Sequence, residues 1–124
     1  MTFTFDTGML IALERRKLEA TLAFRNILRR GRLPIVPAAV YAEWWRGRTD
    51  AREDIIAAVE LEDMREPLCR AAGEALAVVR GATLVDAVVM ASAALRGGGV
   101  VYTSDVDDLE RLGRHFPSVV VVGV

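Results

Sequence analysis

The sequence predicts an α/β protein in which a parallel β-sheet is covered by helices on both faces. Short apolar or β-branched runs alternate along the chain with longer helical patterns, and this alternation is typical of parallel sheets. At 124 residues the chain is long enough for one domain with a substantial core and too short for two ordinary ones. We therefore predict a single three-layer α/β/α domain over residues 1–124.

The opening stretch predicts a strand followed by two helices. Phe3 and Phe5 alternate with threonines over residues 2–5, a pattern that suits a short strand. A short apolar helix is expected over residues 9–14. Apolar side chains at helical spacing then predict an amphipathic helix over residues 18–30, which Gly31 would end.

The middle of the chain predicts two shorter strand and helix pairs. Residues 33–36 form an apolar run closed by Pro37, and proline is well tolerated where the next helix, over residues 38–46, begins. Asp50 is a suitable N-cap for a helix that reaches about residue 59. Residues 59–64 carry three acids, so the strand predicted there is placed at an edge of the sheet.

The last part of the chain contains the most apolar elements. A helix is predicted over residues 67–79, and a second over residues 84–95 is apolar on almost every side, as a buried helix would be. A glycine run ends this helix. A strand over residues 100–103, a helix over residues 105–114 and a final apolar strand over residues 119–122 complete the predicted sheet.

Composition excludes several classes of protein. Hydrophobic residues make up 52% of the chain, which favours a folded domain. No apolar run approaches the roughly 20 residues that span a bilayer, so no membrane segment is predicted. The N-terminus lacks the features of an export signal, and the single cysteine, Cys69, cannot form an internal disulfide, so a cytoplasmic protein is expected.

Charge is unevenly distributed, although the net charge is only −1. Residues 14–48 contain nine basic residues and three acidic ones, whereas residues 50–74 contain eight acidic and three basic ones. The first region suits a polyanion such as RNA, and the second does not. An arginine-rich genome would equally account for the fifteen-to-one excess of arginine over lysine, so the clustering is the more useful observation.

Five acids stand apart from the solvated charges because each lies at a predicted strand end, a helix start or an apolar helix face. They are Asp6, Glu43, Asp86, Asp105 and Asp108. Each could have an ordinary structural role. The aspartates can cap or begin helices, and Glu43 can pair with Arg46 one helical turn away.

Taken together, these acids point to a metal site. Asp6 and Asp105 follow strands that are commonly neighbours at the switch point of such sheets, which would bring them into one crevice. Two carboxylates about 5 Å apart repel by roughly 3 kcal/mol at an effective dielectric near 20, so a group of four needs protons or a cation. Mg²⁺ or Mn²⁺ suits oxygen donors, whereas Zn²⁺ would prefer histidine and cysteine, of which the chain has one each.

Four segments in order resemble the PIN domain family and, within it, the VapC-type ribonuclease toxins of bacterial toxin–antitoxin modules. The matching segments are FDTGMLIALER from Phe5, VPAAVYAEWWRG from Val36, LVDAVVMASAA from Leu84 and YTSDVDDLERL from Tyr102. They span essentially the whole chain, and their order and separation are more specific than any one of them.

The resemblance implies roles for individual residues. The metal-binding acids of the family fall on Asp6, Glu43, Asp86 and Asp105, with Asp108 as a more variable fifth. Asp6, Asp86 and Asp105 would hold the metal directly, and Glu43 would be a ligand or would orient the attacking water. Thr103 matches a hydroxyl position that supports the site. Many relatives carry a further acid where this chain has Thr83, which puts a second metal position in question.

The resemblance also implies an architecture and partners. It implies a parallel sheet of order 3-2-1-4-5, a homodimer and a cognate VapB antitoxin that inserts a segment into or beside the acidic groove. The expected activity is a Mg²⁺- or Mn²⁺-dependent endoribonuclease in which metal-activated water cleaves RNA. Arg15, Arg46 and Arg48 are candidates for contacts with flanking RNA phosphates.

Three alternative functions stay open at this point. A PIN nuclease of RNA processing or turnover would carry the same acids without being a toxin, and a binding-only partner of an antitoxin would have lost turnover. A receiver-type phospho-signalling domain also places acids around Mg²⁺ in a parallel sheet. It needs a lysine late in the chain, and the only lysine here is Lys17.

Overall fold

A computed structural model describes residues 1–46 and 52–124 and contains one parallel sheet of five strands. The strands are β1 (Thr2–Phe5), β2 (Ile35–Pro37), β3 (Glu60–Glu62), β4 (Gly99–Thr103) and β5 (Val119–Gly123). Their order is β3-β2-β1-β4-β5, and every pair of neighbours is parallel. The predicted fold class and strand order are confirmed.

Helices connect the strands. They are α1 (Thr7–Glu14), α2 (Leu18–Arg29), α3 (Ala38–Trp45), α4 (Glu53–Ile56), α5 (Glu66–Val78), α6 (Leu84–Leu95) and α7 (Val106–Glu110). Successive side chains of a strand point to opposite faces of the sheet, and Phe3, Thr4 and Phe5 are all buried. Both faces of β1 are therefore covered, as a three-layer arrangement requires.

Helix α6 is the central packing element. Every residue from 87 to 93 is buried, and the helix contacts β1, β2, β4 and β5 as well as α5. This confirms the prediction of a buried helix. Its N-terminus lies near the carboxyl edge of the sheet because α6 runs back against the parallel strands before β4 begins, and this orientation determines where Asp86 lies.

The edge strand β3 tolerates its acids through one partly buried network. The Glu62 carboxylate accepts a hydrogen bond from Ser92 Oγ at 2.5 Å and from Arg96 Nη2 at 2.9 Å, both on or just after α6. Glu60 is exposed. The predicted edge position is thus confirmed, and the network joins the edge of the sheet to the central helix.

Several predicted boundaries were wrong, including the start of α1, which is Thr7 rather than Met9, and the ends of the edge strand, which covers Glu60–Glu62 rather than residues 59–64. The second strand begins at Ile35, and Leu33 is exposed. The helix predicted to reach residue 59 ends at Ile56, and its predicted cap, Asp50, lies outside the described residues. The helix predicted to reach residue 114 ends at Glu110, after which Gly113 N donates to Glu110 O in a tighter turn. Glycine favours such an ending because it is a poor helix former.

None of the helices in the described ranges is long and apolar enough to cross a membrane.

Candidate metal centre

Asp6 lies at the junction of β1 and α1 and is nearly buried. Its side chain accepts a hydrogen bond from Met9 N at 2.8 Å, so Asp6 caps α1. Capping is the ordinary structural role that the sequence left open for this residue. Its own N–H donates to Tyr102 O at 3.3 Å, which continues the pairing of β1 with β4. Capping does not require burial, however, and Asp6 is only 7% exposed.

Burial changes the chemistry of Asp6. Desolvation raises the pKa of its carboxyl from 3.8 to about 6, against the lowering effects of hydrogen bonds from the Thr103 hydroxyl and Met9 N–H. The carboxylates of Asp86 and Asp105 raise the pKa further. The folded protein therefore makes ionisation of the Asp6 carboxyl unfavourable, and a nearby cation would offset this cost.

Thr103 links the two strand ends that carry the acids. Its side chain is fully buried at the end of β4. The hydroxyl hydrogen-bonds to the Asp6 carboxylate and accepts a hydrogen bond from Asp105 N at 2.9 Å. The Thr103 hydroxyl thus positions both Asp6 and Asp105.

Asp86 occupies the first turn of α6, where Thr83 is the N-cap. Thr83 Oγ1 accepts a hydrogen bond from Asp86 N at 3.2 Å, and the Thr83 hydroxyl also bonds to the Asp86 carboxylate. The pKa of Asp86 is nevertheless raised, chiefly by partial burial and then by the charges of Asp108, Glu43 and Asp105. Thr83 therefore holds Asp86 in place at the start of α6.

Asp105 and Asp108 begin α7 and are exposed. Asp105 accepts a hydrogen bond from Asp108 N at 3.5 Å and so caps this short helix. The pKa of the Asp108 carboxyl is raised, mainly because its protonated form hydrogen-bonds to the Asp105 carboxyl. The carboxyl groups of Asp105 and Asp108 therefore lie next to each other at the start of α7.

Glu43 is half-buried on α3 and faces Asp86 closely enough to raise the pKa of that carboxyl. The expected structural partner was Arg46, but these two side chains form no ion pair in the structure, which describes both of them. Arg46 instead ends α3 in a left-handed conformation, with φ of 44°. Pairing along the helix does not account for the glutamate.

We refer to these five residues as the acidic centre: Asp6, Glu43, Asp86, Asp105 and Asp108. Asp6 and Asp105 follow the neighbouring strands β1 and β4, Asp86 lies in the first turn of α6, and the charges of Glu43 and Asp108 raise the pKa of Asp86, so these acids lie near one another. The strands β1 and β4, whose ends carry Asp6 and Asp105, are direct neighbours as predicted. The structure therefore gathers the acids that the sequence singled out.

The donor chemistry of the acidic centre fits a hard divalent cation. Its side chains offer carboxylate oxygens, the donors that Mg²⁺ and Mn²⁺ prefer. As they stand, no three acidic, histidine or cysteine side chains within residues 1–46 and 52–124 are close enough to hold one ion.

Gly8 allows the chain to pass closely beside the acidic centre. A Cβ atom at this position would overlap Ser104 Oγ and lie 3.2 Å from Ser104 N. The glycine therefore keeps the start of α1 against the segment that leads from Thr103 to Asp105. Sequence analysis missed Ser104, although it stands in the YTSDVDDLERL segment directly before the acid.

The arginines proposed for RNA are placed differently from one another. Arg15 is exposed and, with Lys17, borders a groove of about 310 Å³ whose wall includes Gly8 and Ser104, next to the acidic centre. Arg46 is exposed one turn beyond Glu43. Arg48 lies outside the described residues.

Comparison with known proteins agrees with this arrangement. The model of the PIN domain family matches residues 3–115. No curated protein shows significant sequence similarity to the chain.

Solved structures share the fold at low sequence identity. A chain in the crystal structure of VapBC2 from Rickettsia felis bound to a promoter DNA fragment has a TM-score of 0.79 and 12% identity, and the match covers 100% of this chain and 99% of that one. For DNA-bound VapBC from Salmonella typhimurium the TM-score is 0.77 at 18% identity, with 99% and 98% covered. A toxin–antitoxin complex from Klebsiella pneumoniae gives 0.67 at 18% identity, with 96% of each chain covered.

The family match extends over nearly all of the strands and helices that carry the acidic centre. The chain belongs to the PIN domain family.

Proposed function

We propose that the protein is a metal-dependent endoribonuclease and the VapC-type toxin of a VapBC module. The observation that carries the nuclease proposal is the buried Asp6 carboxylate, whose pKa burial raises to about 6, beside Asp86 and Asp105 at the carboxyl edge of the sheet. An unneutralised group of this kind costs stability, and a divalent ion offsets the cost. PIN domains are generally nucleases, which supports the same activity.

We assign the following roles to residues of the acidic centre and to Thr103. Asp6, Asp86 and Asp105 would hold Mg²⁺ or Mn²⁺, which when bound lowers the pKa of a water and offsets charge on the leaving oxygen. Thr103 fixes the direction of the Asp6 carboxylate through its hydrogen bond. Glu43 approaches Asp86 from α3 and is suited to orient the attacking water.

The proposed partners follow from the structural matches. The matched structures include VapBC complexes, which supports a VapB-type antitoxin as the partner of this chain. A homodimer is proposed on the family resemblance alone. Arg15 beside the acidic centre and Arg46 beyond Glu43 are proposed to contact RNA phosphates. A protein that acts on cellular RNA belongs in the cytoplasm.

Cleavage of RNA by the purified protein tests the nuclease proposal. We expect cleavage with Mg²⁺ or Mn²⁺, none in EDTA, and a loss of at least about 100-fold in Asp6→Asn, since a positioned metal contributes several kcal/mol to catalysis. The matched control is Asp63→Asn, an exposed acid outside the acidic centre, which should cleave like the wild type. Full activity in EDTA or in Asp6→Asn would reject the mechanism, and absence of cleavage by the wild type would favour a binding-only module.

Growth on expression separates a toxin from a nuclease of RNA turnover. A toxin arrests growth through its acidic centre, and co-expression of a small antitoxin-like protein encoded next to it relieves the arrest. Unimpaired growth with a protein that cleaves RNA in vitro would favour the role in RNA turnover.

A further inference from the structure

A groove lined by arginines adjoins the acidic centre. It has a volume of about 560 Å³, and its walls are formed by the end of α5 and the turns after α7: Val78, Val79, Arg80, Arg111, Arg114 and His115. We call it the arginine groove. None of these lining residues is acidic, and all four of its polar side chains are exposed. The groove is therefore a concentrated cationic surface on a chain whose net charge is −1.

The arginines of this groove differ from several arginines elsewhere in the chain. Arg52, Arg70 and Arg96 form ion pairs with Asp54, Glu66 and Glu62. Within the described part of the chain, no ion pair engages the guanidinium groups that line the arginine groove. Most of their hydrogen-bond donors therefore remain available for a ligand with several acceptor oxygens, such as a row of phosphates.

Glycine brings the two walls of the groove together. Gly81 has φ of 79°, and a Cβ atom there would lie 2.7 Å from Arg111 Nη1. Arg111 Nη1 also donates towards Gly81 O at 3.5 Å. The bare backbone at Gly81 thus lets Arg111 reach across from the end of α7 to the turn that precedes α6.

Both walls of the groove lead along the chain towards the acidic centre. Arg80 and Gly81 lead directly into Thr83, which caps the helix that carries Asp86. On the other wall, Arg111 follows α7, which begins with the acids of the centre. The pKa of the Asp108 carboxyl, which Asp105 raises, is partly lowered again by the Arg111 guanidinium, so these two charges are close.

We propose that the arginine groove binds the phosphate backbone of the RNA that the acidic centre cleaves. This inference rests on the proposed function. The acidic centre repels a polyanion, so the substrate needs cationic contacts on either side of the cleaved bond. Arg15 and Lys17 border one groove beside the acidic centre, and the arginine groove next to α6 and α7 provides further cationic contacts.

RNA binding measured without cleavage tests this proposal. Fluorescence anisotropy of a labelled single-stranded RNA is recorded against salt concentration for Asp6→Asn, and again after Arg80→Gln and Arg114→Gln are added together. Any single-stranded sequence serves, because phosphate contacts are sequence-independent. The control adds Arg65→Gln and Arg70→Gln, exposed arginines at the N-cap of α5 and on α5, with the same loss of charge.

The expected effect follows from counterion release. Each phosphate contact on single-stranded RNA contributes about 0.7 to the slope of log affinity against log salt, so two lost contacts reduce the slope by about 1.4 and the affinity by about tenfold at 0.15 M salt. The control variant should keep the salt slope and the affinity of Asp6→Asn alone. Replacing Arg80 and Arg114 with lysine keeps the charge and should keep the slope, and thermal unfolding confirms that each variant is folded.

Equal slope and affinity in the groove and control variants would overturn the proposal. The same holds if the groove variants bind RNA normally and lose only binding to an acidic protein partner. Failure of the proposed function is distinguishable, because a wild type that binds RNA through the groove and never cleaves it contradicts the nuclease and leaves the groove assignment intact.

Discussion

Replacing Asp6 with asparagine should stabilise the metal-free protein at neutral pH while it abolishes RNA cleavage. Burial raises the pKa of the Asp6 carboxyl from 3.8 to about 6. In the unfolded chain the carboxyl has its ordinary pKa, so the native state binds the proton more tightly. The favourable contribution of the protonated group to folding is complete below pH 3.8 and is lost as pH rises to about 6.

The magnitude follows from the two pKa values. A change from 3.8 to about 6 corresponds to about 3 kcal/mol of unfolding free energy at any pH well above 6. Asparagine carries no charge at any pH, and its amide oxygen can still accept the hydrogen bond from Met9 N. Asp6→Asn should therefore exceed the wild type by about 2–3 kcal/mol at pH 8, and the difference should nearly vanish at pH 4.

Urea unfolding in EDTA at pH 8, 6 and 4 measures this difference. The exposed Asp63→Asn is the matched control and should stay within about 0.5 kcal/mol of the wild type at each pH. The interpretation that ionised Asp6 destabilises the folded protein would be refuted by a lower unfolding free energy of Asp6→Asn at pH 8. It would also be refuted if the difference in unfolding free energy between variant and wild type did not change with pH.

Three further predictions concern the same centre. Saturating Mn²⁺ should raise the melting temperature of the wild type, since a ligand at 100 times its Kd adds about 2.7 kcal/mol, but it should not raise that of Asp6→Asn; equal shifts in differential scanning fluorimetry would contradict this. Thr103→Val, which removes the hydrogen bond to Asp6, should cost about 1–3 kcal/mol in urea unfolding and reduce cleavage, whereas Thr103→Ser should recover both. Gly8→Ala should destabilise the protein by more than about 1 kcal/mol because the methyl group overlaps Ser104 Oγ. Gly73→Ala, with open space around it, should stabilise the protein by about 0.5–1 kcal/mol. If both variants changed the stability by similar amounts in thermal unfolding, the overlap at Gly8 would be relieved without cost.

The fold was largely predictable because the hydrophobic periodicity is clear. The buried helix α6 carries apolar side chains on nearly every face, and the opening strand alternates Phe3 and Phe5 with threonines. Element ends were less predictable. The end of α7 depends on turns around Gly113 that pack Leu112 and Phe116 into the core, and that packing is a tertiary effect.

The candidate site was predictable where an acid interrupts an apolar pattern. Asp6 and Asp86 stand out in this way, and their raised pKa values share burial as the main cause. The arginine groove was not predictable, because Arg80 and Arg114 lie far apart in the sequence and meet only when α7 packs beside α6. Gly81 did not indicate the groove in the sequence, since a glycine between two helical patterns commonly indicates only a turn.

The most direct test maps the 5′ ends of cellular RNA after brief expression of the wild type and of Asp6→Asn. If the acidic centre is the nuclease, new 5′ ends accumulate at defined RNA sites with the wild type and are absent with the variant. The same new ends with Asp6→Asn, or no new ends with a folded wild-type protein, would contradict the claim that this centre cleaves RNA.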